Sequence, residues 1–508
     1  MKTAWAIGTA ILLAAACQAA ITSAVKTGNG LVSGVPGRDA AITAFKGIPY
    51  ARPPVGKLRW TLPQPARNWT GVRKADHFSA GCDQLFPQAK FPKSEDCLYL
   101  NVWTPANAAN AHLPVMVWIH GGGLRVGSAA EPLYDGEEIA RKGVVVVTFN
   151  YRLDVFGFLA HPELSKESGR NASGNYGLYD QVAALRWVQQ NIAAFGGDPS
   201  KVTIFGQSAG AYSVASHVAS PVSKGLFRAA IIQSLRSSYS SVPTRSLQDG
   251  ETAGVELARS AGANSLADLR AMPADRLLVA NKNGIPASAN VDGCFVPDSA
   301  DVIYREGRQN KVPVLIGSNS DEAQHSIKSA LSATDYVAKA LKDYGADADA
   351  FLTLYPGHTD LEAKEFQQRR LADLTAFGER SVATRISDGG PQAFLYYFSY
   401  VDHGGYNSEE PVFGLKLGAD HGAELPYVFG LLNHWSKPVP DGDIQLQAAM
   451  MDYWVNFAKT LNPNGNGLPA WTPVTPAGDA VMVFDRTIGM QIHPRAAQLR
   501  FLATHPGK

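Results

Sequence analysis

Residues 201–220 read "KVTIFGQSAGAYSVASHVAS", and this stretch decides the fold. Its first five residues are a β-rich run, while the residues after Ser208 carry a helical pattern that ends before Pro221. Between the two lies Gly206-Gln207-Ser208-Ala209-Gly210, a G-x-S-x-G sequence that occurs once in the chain. A strand, this pentapeptide and a helix together make the context of a nucleophile elbow, a strained turn that lifts a serine hydroxyl clear of the backbone. Glycine at 206 and 210 would let strand and helix pass closely, because neither carries a Cβ to collide. The competing reading is an ordinary hydroxyl in a small-residue turn, and the rest of the chain has to decide.

Working outward, "PVMVWIHGGG" (114–123) and "KGVVVVTFNYR" (142–152) are continuous apolar runs, as expected of central strands covered on both faces. "GLYDQVAALRWVQQNIAAF" (177–195) places Val182, Leu185, Val188 and Ile192 at helical spacing and stops at Gly196-Gly197. "FRAAIIQS" (227–234) and "VPVLIGSN" (312–319) read as two more strands. This alternation predicts an α/β fold: a mostly parallel central sheet with helices on both faces. Residues 245–310 and 328–390 read as helix-rich excursions, since sheet elements resume after each. Residues 25–508 are therefore expected to form one catalytic domain.

Among 508 residues, 45% are hydrophobic and 18% charged, with a formal net charge of +1, so neither nucleic acid nor an anionic membrane is an expected partner. The first 24 residues, "MKTAWAIGTAILLAAACQAAITSA", have the pattern of a secretory signal peptide cleaved after Ala19 or Ala24. A second reading makes Cys17 a lipid-acceptor cysteine, because "LAAAC" loosely resembles a bacterial lipobox. Beyond this segment no apolar run reaches the ~20 residues of a membrane span. Export, to the periplasm or the medium, would leave Cys82, Cys97 and Cys294. The first two could close a loop of about 15 residues, worth about 3 kcal/mol, and Cys294 reads as a small buried residue.

An activated serine needs a base, and the base needs an orienting acid. Among twelve histidines no two stand three or four apart, so no helix-borne metal pair is indicated. His421, in the glycine-rich "GADHGAELPYVFG", is the candidate base, whereas His217 and His434 read as structural. For the acid, "VPVLIGSNSDEAQ" ends a strand and presents Asp321 and Glu322, between which spacing alone cannot choose. The glycine cluster in "WIHGGGLRVGS" can bring backbone N–H groups to a substrate oxyanion. A phosphate loop would need a last glycine that is missing here and a G-K-[ST] that the chain lacks.

At this point the sequence resembles the type-B carboxylesterases of the α/β-hydrolase fold, the family of bacterial para-nitrobenzyl esterases and the cholinesterases. Besides the stretches above, "FKGIPYARPPVGKLRW", "SEDCLYLNVW", "NYRLDVFGFL", "GSNSDEA" and "NFAKTLNPN" carry the likeness, in the family's order. The resemblance implies Ser208 as nucleophile, Glu322 as acid and His421 as base, with Gly122, Gly123 and Ala209 supplying oxyanion N–H groups. It also implies a Cys82–Cys97 disulfide and ion pairs Arg52–Glu95 and Arg152–Asp180. Ester hydrolysis through an acyl-enzyme, with a small-molecule ester as partner and no metal or cofactor, is the implied activity. Amidase or thioesterase action by the same triad, or a non-catalytic adhesion module, are the alternatives.

Four positions depart from the family pattern. Gln207 stands where most relatives have glutamate, the loop from Cys82 to Cys97 lacks tryptophan, Leu124 replaces a phenylalanine, and Leu235 replaces a glycine. Gln207, Leu124 and Leu235 are thus candidate substrate-pocket residues. Arg125 and Arg236 would border the acyl pocket, where a guanidinium could pair with a carboxylate-bearing ester. The competing reading is that both arginines reach solvent or an internal carboxylate.

Overall fold

A computed structural model describes residues 21, 23–235, 245–282, 288–322, 329–401, 415–434, 438–476 and 478–505. Residues 1–20 and 22 of the expected signal peptide, Cys17 among them, and Arg236 lie outside the described residues. Eleven strands form the main sheet: β1 (Val35–Pro36), β2 (Thr43–Pro49), β3 (Tyr99–Thr104), β4 (Leu113–Ile119), β5 (Val145–Phe149), β6 (Gly197–Gln207), β7 (Ala229–Gln233), β8 (Val314–Asn319), β9 (Ala393–Phe398), β10 (Ala480–Phe484) and β11 (Gly489–Ile492). Their order across the sheet is β11-β10-β9-β8-β7-β6-β4-β5-β3-β2-β1. The stretch from β10 to β5 is parallel throughout, and antiparallel strands finish both edges.

The apolar runs follow from burial on both faces. In β4, Val115, Val117 and Ile119 join one core cluster, while Met116 and Trp118 join the other. β8 and β9 divide likewise: Val314, Ile316, Ala393 and Leu395 face one side, Leu315, Phe394, Tyr396 and Phe398 the other. Period-two alternation of side chains thus feeds two cores at once, and no polar residue is spared for solvent. Each fully buried aliphatic side chain contributes roughly 1.5–3 kcal/mol.

Four helices pack on the main sheet: α1 (Tyr176–Asn191), α2 (Ala209–Ala219), α3 (Asp360–Asp388) and α4 (Asp441–Thr460). α1 runs into a 3-10 turn, Ile192–Phe195, and stops at Gly196 with φ of 81°, the left-handed stop read from the sequence. The first helical excursion supplies Leu247–Ala261, Leu266–Ala271, Ala274–Ala280 and Ala300–Arg305. Its apolar faces enclose a satellite core with Trp60, Phe156, Leu159 and Leu164. The second supplies Ala333–Tyr344, Ala348–Leu354 and α3, which lies across β8 and β9. Among the described residues no helix is long and apolar enough to cross a membrane.

Covalent and ionic ties hold the entry segments. Cys82 and Cys97 form the disulfide. Arg152 and Asp180 pair in full burial, Nε to Oδ2 and Nη2 to Oδ1 both at 2.7 Å. The expected partner of Glu95 is corrected: Arg59, not Arg52, donates Nε to Glu95 Oε2 at 2.7 Å. Arg59 follows the 3-10 turn Gly56–Leu58, which swings it inward over the rings of Trp60 and Phe156. There its Nη1 also donates to the carbonyls of Leu269 and Met272. Cys294 is half-buried rather than buried, and free.

Candidate active site

β6 ends at Gln207 and α2 begins at Ala209, so Ser208 alone makes the turn. Its φ of 58° and ψ of −122° are a conformation that a residue with a Cβ adopts only under strain, on the order of 1–3 kcal/mol. The surroundings enforce it. Ser208 N–H donates to the carbonyl of Gln233 on β7 at 2.9 Å. A Cβ on Gly210 would lie 2.0 Å from the Ile119 carbonyl oxygen, and one on Gly206 would lie 2.7 Å from the same atom. Only glycines at both positions let β4, β6 and α2 meet so closely.

β4 ends beside this turn and continues as the glycine loop. Gly122 and Gly123 have φ of 100° and 64°, and a Cβ on Gly122 would strike the Val126 carbonyl oxygen at 2.1 Å. The Gly122 carbonyl accepts from the N–H groups of both Arg125 and Val126. This tight turn leaves the N–H groups of Gly122 and Gly123 without an acceptor among the described residues. His120 braces the loop: its ring stacks on Tyr151 at 4.5 Å, and the Tyr151 hydroxyl donates to the His120 carbonyl. Burial holds the His120 imidazole down at about 4, so it stays uncharged.

The base and the acid arrive on two loops stitched together. Asp321 N–H donates to the Ala419 carbonyl, and Ala419 N–H donates to Ser320 Oγ. His421 Nδ1 then meets Glu322 Oε2, while Glu322 Oε1 accepts from Asn319 N–H at 2.8 Å. Burial opposes the charge on Glu322, but His421 and the hydrogen bonds outweigh it and hold the carboxyl below its usual value. The other ring nitrogen, Nε2, lies 3.2 Å from Nε2 of Gln207, the residue before Ser208, and no hydrogen bond joins it to the Ser208 hydroxyl. Asp321 points elsewhere: its carboxylate accepts from Gln368 Nε2 and from Leu417 N–H. The structure therefore brings Glu322, rather than Asp321, to His421. His217 is buried between Gln181 and Ser223, and His434 pairs with Glu138 at the surface.

Of the pocket candidates, Gln207 reaches the site. Leu124 and Leu235 are buried members of the sheet core, and Leu235 N–H donates to Glu379 Oε1. Arg125 is partly exposed, with Nη1 at 3.8 Å from Asp154 Oδ1. Burial lifts the Asp154 carboxyl to about 6, against the pull of Arg125 and of an Asn281 hydrogen bond. Sequence reasoning missed the polar layer behind Glu322. Glu424 accepts from Gln233 Nε2 and Asn319 Nδ2, and burial raises its pKa. Burial raises that of Glu379 well above the ordinary range. Among the described residues no three His, Cys, Asp or Glu side chains converge as metal ligands would.

The family model of the carboxylesterase family matches residues 21–502. The chain belongs to the carboxylesterase family. It is 36% identical over 492 residues to the fumonisin B1 esterase of Sphingopyxis macrogoltabida, covering 91% of this chain and 86% of that one. It is also 36% identical over 475 residues to the human cocaine esterase, covering 86% and 82% of the two chains. The solved structure of a PNB esterase superposes with a TM-score of 0.80 at 31% identity, covering 95% of this chain and all of the other. The chain is thus a carboxylesterase on the α/β-hydrolase fold, as the sequence resemblance implied.

Proposed function

We propose that this carboxylesterase cleaves carboxylic esters through Ser208, His421 and Glu322, by way of an acyl-enzyme. The observation that supports the reading is the pairing of His421 with Glu322 while its other ring nitrogen lies against Gln207, the residue before the strained Ser208. His421 takes the Ser208 proton as Oγ attacks the ester carbonyl carbon, and Glu322 stabilises the imidazolium that forms. The tetrahedral oxyanion is held by the N–H groups of Gly122, Gly123 and Ala209, at the positive end of α2. Collapse returns the proton to the departing alcohol. A water molecule, deprotonated by the same histidine, then frees the acid.

The substrates are small to medium esters, aromatic or carboxylate-bearing ones among them. The neutral Gln207 and the partly exposed Arg125 at the glycine loop support this choice. Residues 25–508 act as one catalytic domain exported behind the leader, a reading that the buried disulfide supports. The test is Ser208→Ala. Turnover of para-nitrophenyl acetate should fall by at least about 10³-fold, and a fluorophosphonate should label the wild type at Ser208 alone. Retained turnover in the variant would overturn the mechanism.

A further inference from the structure

One ring nitrogen of His421 is held by Gln207 in the structure and needed by Ser208 in the proposed mechanism. Glu322 takes Nδ1, so in the neutral ring the proton sits there and Nε2 offers a single in-plane lone pair. The Gln207 amide, with Nε2 at 3.2 Å, donates into that lone pair. The Ser208 hydroxyl needs the same lone pair for attack. Gln207 cannot swing far away, because it is 5% exposed and closes β6. Its Oε1 lies 3.2 Å from where a Gly121 Cβ would stand, and its Nε2 lies 3.7 Å from where a Gly422 Cβ would stand.

We infer that Gln207 is a positioning residue that serves His421 in both of its protonation states. The inference rests on the triad reading above. With the ring neutral, the amide N–H donates to Nε2 and fixes the ring plane. Once the ring has taken the Ser208 proton, a half-turn of the carboxamide about its last torsion presents Oε1, and the same side chain accepts from Nε2–H. A carboxylate at this position could serve only the imidazolium, and a thioether could not donate to the neutral ring and would accept only weakly from the imidazolium.

The charges around the ring make the neutrality of Gln207 matter. Its own segment brings Asp420 and Glu424, with Lys416 at 4.0 Å from Asp420. The loop after β8 brings Glu322 in contact, with Asp321 turned toward α3. From α3, Glu379 stands behind Glu322, and from β6 comes Gln207. Burial favours the uncharged forms of Glu379 and Glu424. Among the described residues, Glu322 is therefore the anionic group that pairs with the ring.

The experiment is the pH profile of kcat/KM on para-nitrophenyl acetate for the wild type, Gln207→Glu and Gln207→Met, with Ser208→Ala as the control on the triad. A glutamate favours the imidazolium, so the acid limb should move up by about one to two pH units. Methionine should leave the limb in place and lower kcat about tenfold with KM nearly unchanged, as for a base that has lost its alignment. A glutamate profile that overlays the wild type, or a methionine variant with full kcat, would overturn the inference while leaving the triad intact. Should the glutamate variant not fold, the methionine variant decides through kcat alone. Turnover surviving in Ser208→Ala would instead sink the triad reading, and the inference with it.

Discussion

Gly210→Ala adds one methyl group, and the structure says where that group must go. Its Cβ would stand 2.0 Å from the Ile119 carbonyl oxygen, 2.9 Å from the Ile119 carbonyl carbon and 3.1 Å from that of His120. All three are backbone atoms, so no side chain can rotate away. Ordinary contact begins near 3.4 Å, so α2 and the end of β4 must separate by about 1 Å or more. That gap opens between Ala209, the first residue of α2, and the loop carrying Gly122 and Gly123. These are the two sides of the proposed oxyanion site. Overpacking of this kind costs about 1–3 kcal/mol of stability, but the larger effect is on rate. A misplacement of about 1 Å, or loss of one oxyanion donor, lowers kcat about 10²-fold or more. The assay pairs kcat for para-nitrophenyl acetate with a thermal melt. Gly225→Ala is the control, since Gly225 has φ of 79° and a methyl group placed there would meet nothing within 4 Å. It should lose about 1–2 kcal/mol through left-handed strain and keep its kcat. A Gly210→Ala enzyme with kcat within threefold of wild type would refute the argument that the two glycines set the site.

Two further outcomes concern stability. Burial raises the Glu379 pKa well above that of the unfolded chain, about 4.3; in the interval between the two values folding takes up a proton, and stability falls as pH rises through it. Glu379→Gln should therefore narrow the Tm loss between pH 5 and pH 8, and an unchanged loss would refute the assignment. Asp180→Asn strands the fully buried Arg152 guanidinium without its anion. It should cost about 3–5 kcal/mol in urea unfolding, and a loss under 1 kcal/mol would show that the pair is not the clamp between α1 and the β5 exit.

The parts of the molecule legible in the sequence are those where backbone geometry leaves one choice. Gly206 and Gly210 could be read because close passage of strand and helix forbids a Cβ, and β4 and β5 because burial on both faces demands unbroken apolar runs. Where two residues of one type stand close in sequence, direction is set by distant partners and local spacing is silent. Arg59 rather than Arg52 found Glu95 because carbonyls of Leu269 and Met272, more than 200 positions away, complete its cage. Asp321 and Glu322 part company because Gln368 on α3 captures the first, freeing the second for His421. Only the family likeness, which carries such distant choices implicitly, separated those two carboxylates.

The polar layer behind Glu322 escaped for a different reason: its members look like surface residues one at a time. Yet Glu379 stands in register with Ala372, Thr375, Ala376, Val382, Ala383 and Ile386, the buried stripe of α3. A glutamate at three- and four-residue spacing within an apolar stripe is itself a readable sign, because an ionised carboxyl there would face a desolvation penalty that nothing on the stripe offsets. Such a residue must be neutral or paired, and the structure shows it taking the Leu235 N–H just past the strained Ser234, whose φ is 58°. The left-handed bend at Ser234 ends β7 directly beside the elbow that ends β6, since Gln233 and Gln207 are paired across the two strands. The buried carboxyl therefore fixes the backbone on which the Ser208 N–H is anchored. Its position on an apolar stripe records that role more faithfully than any motif around it.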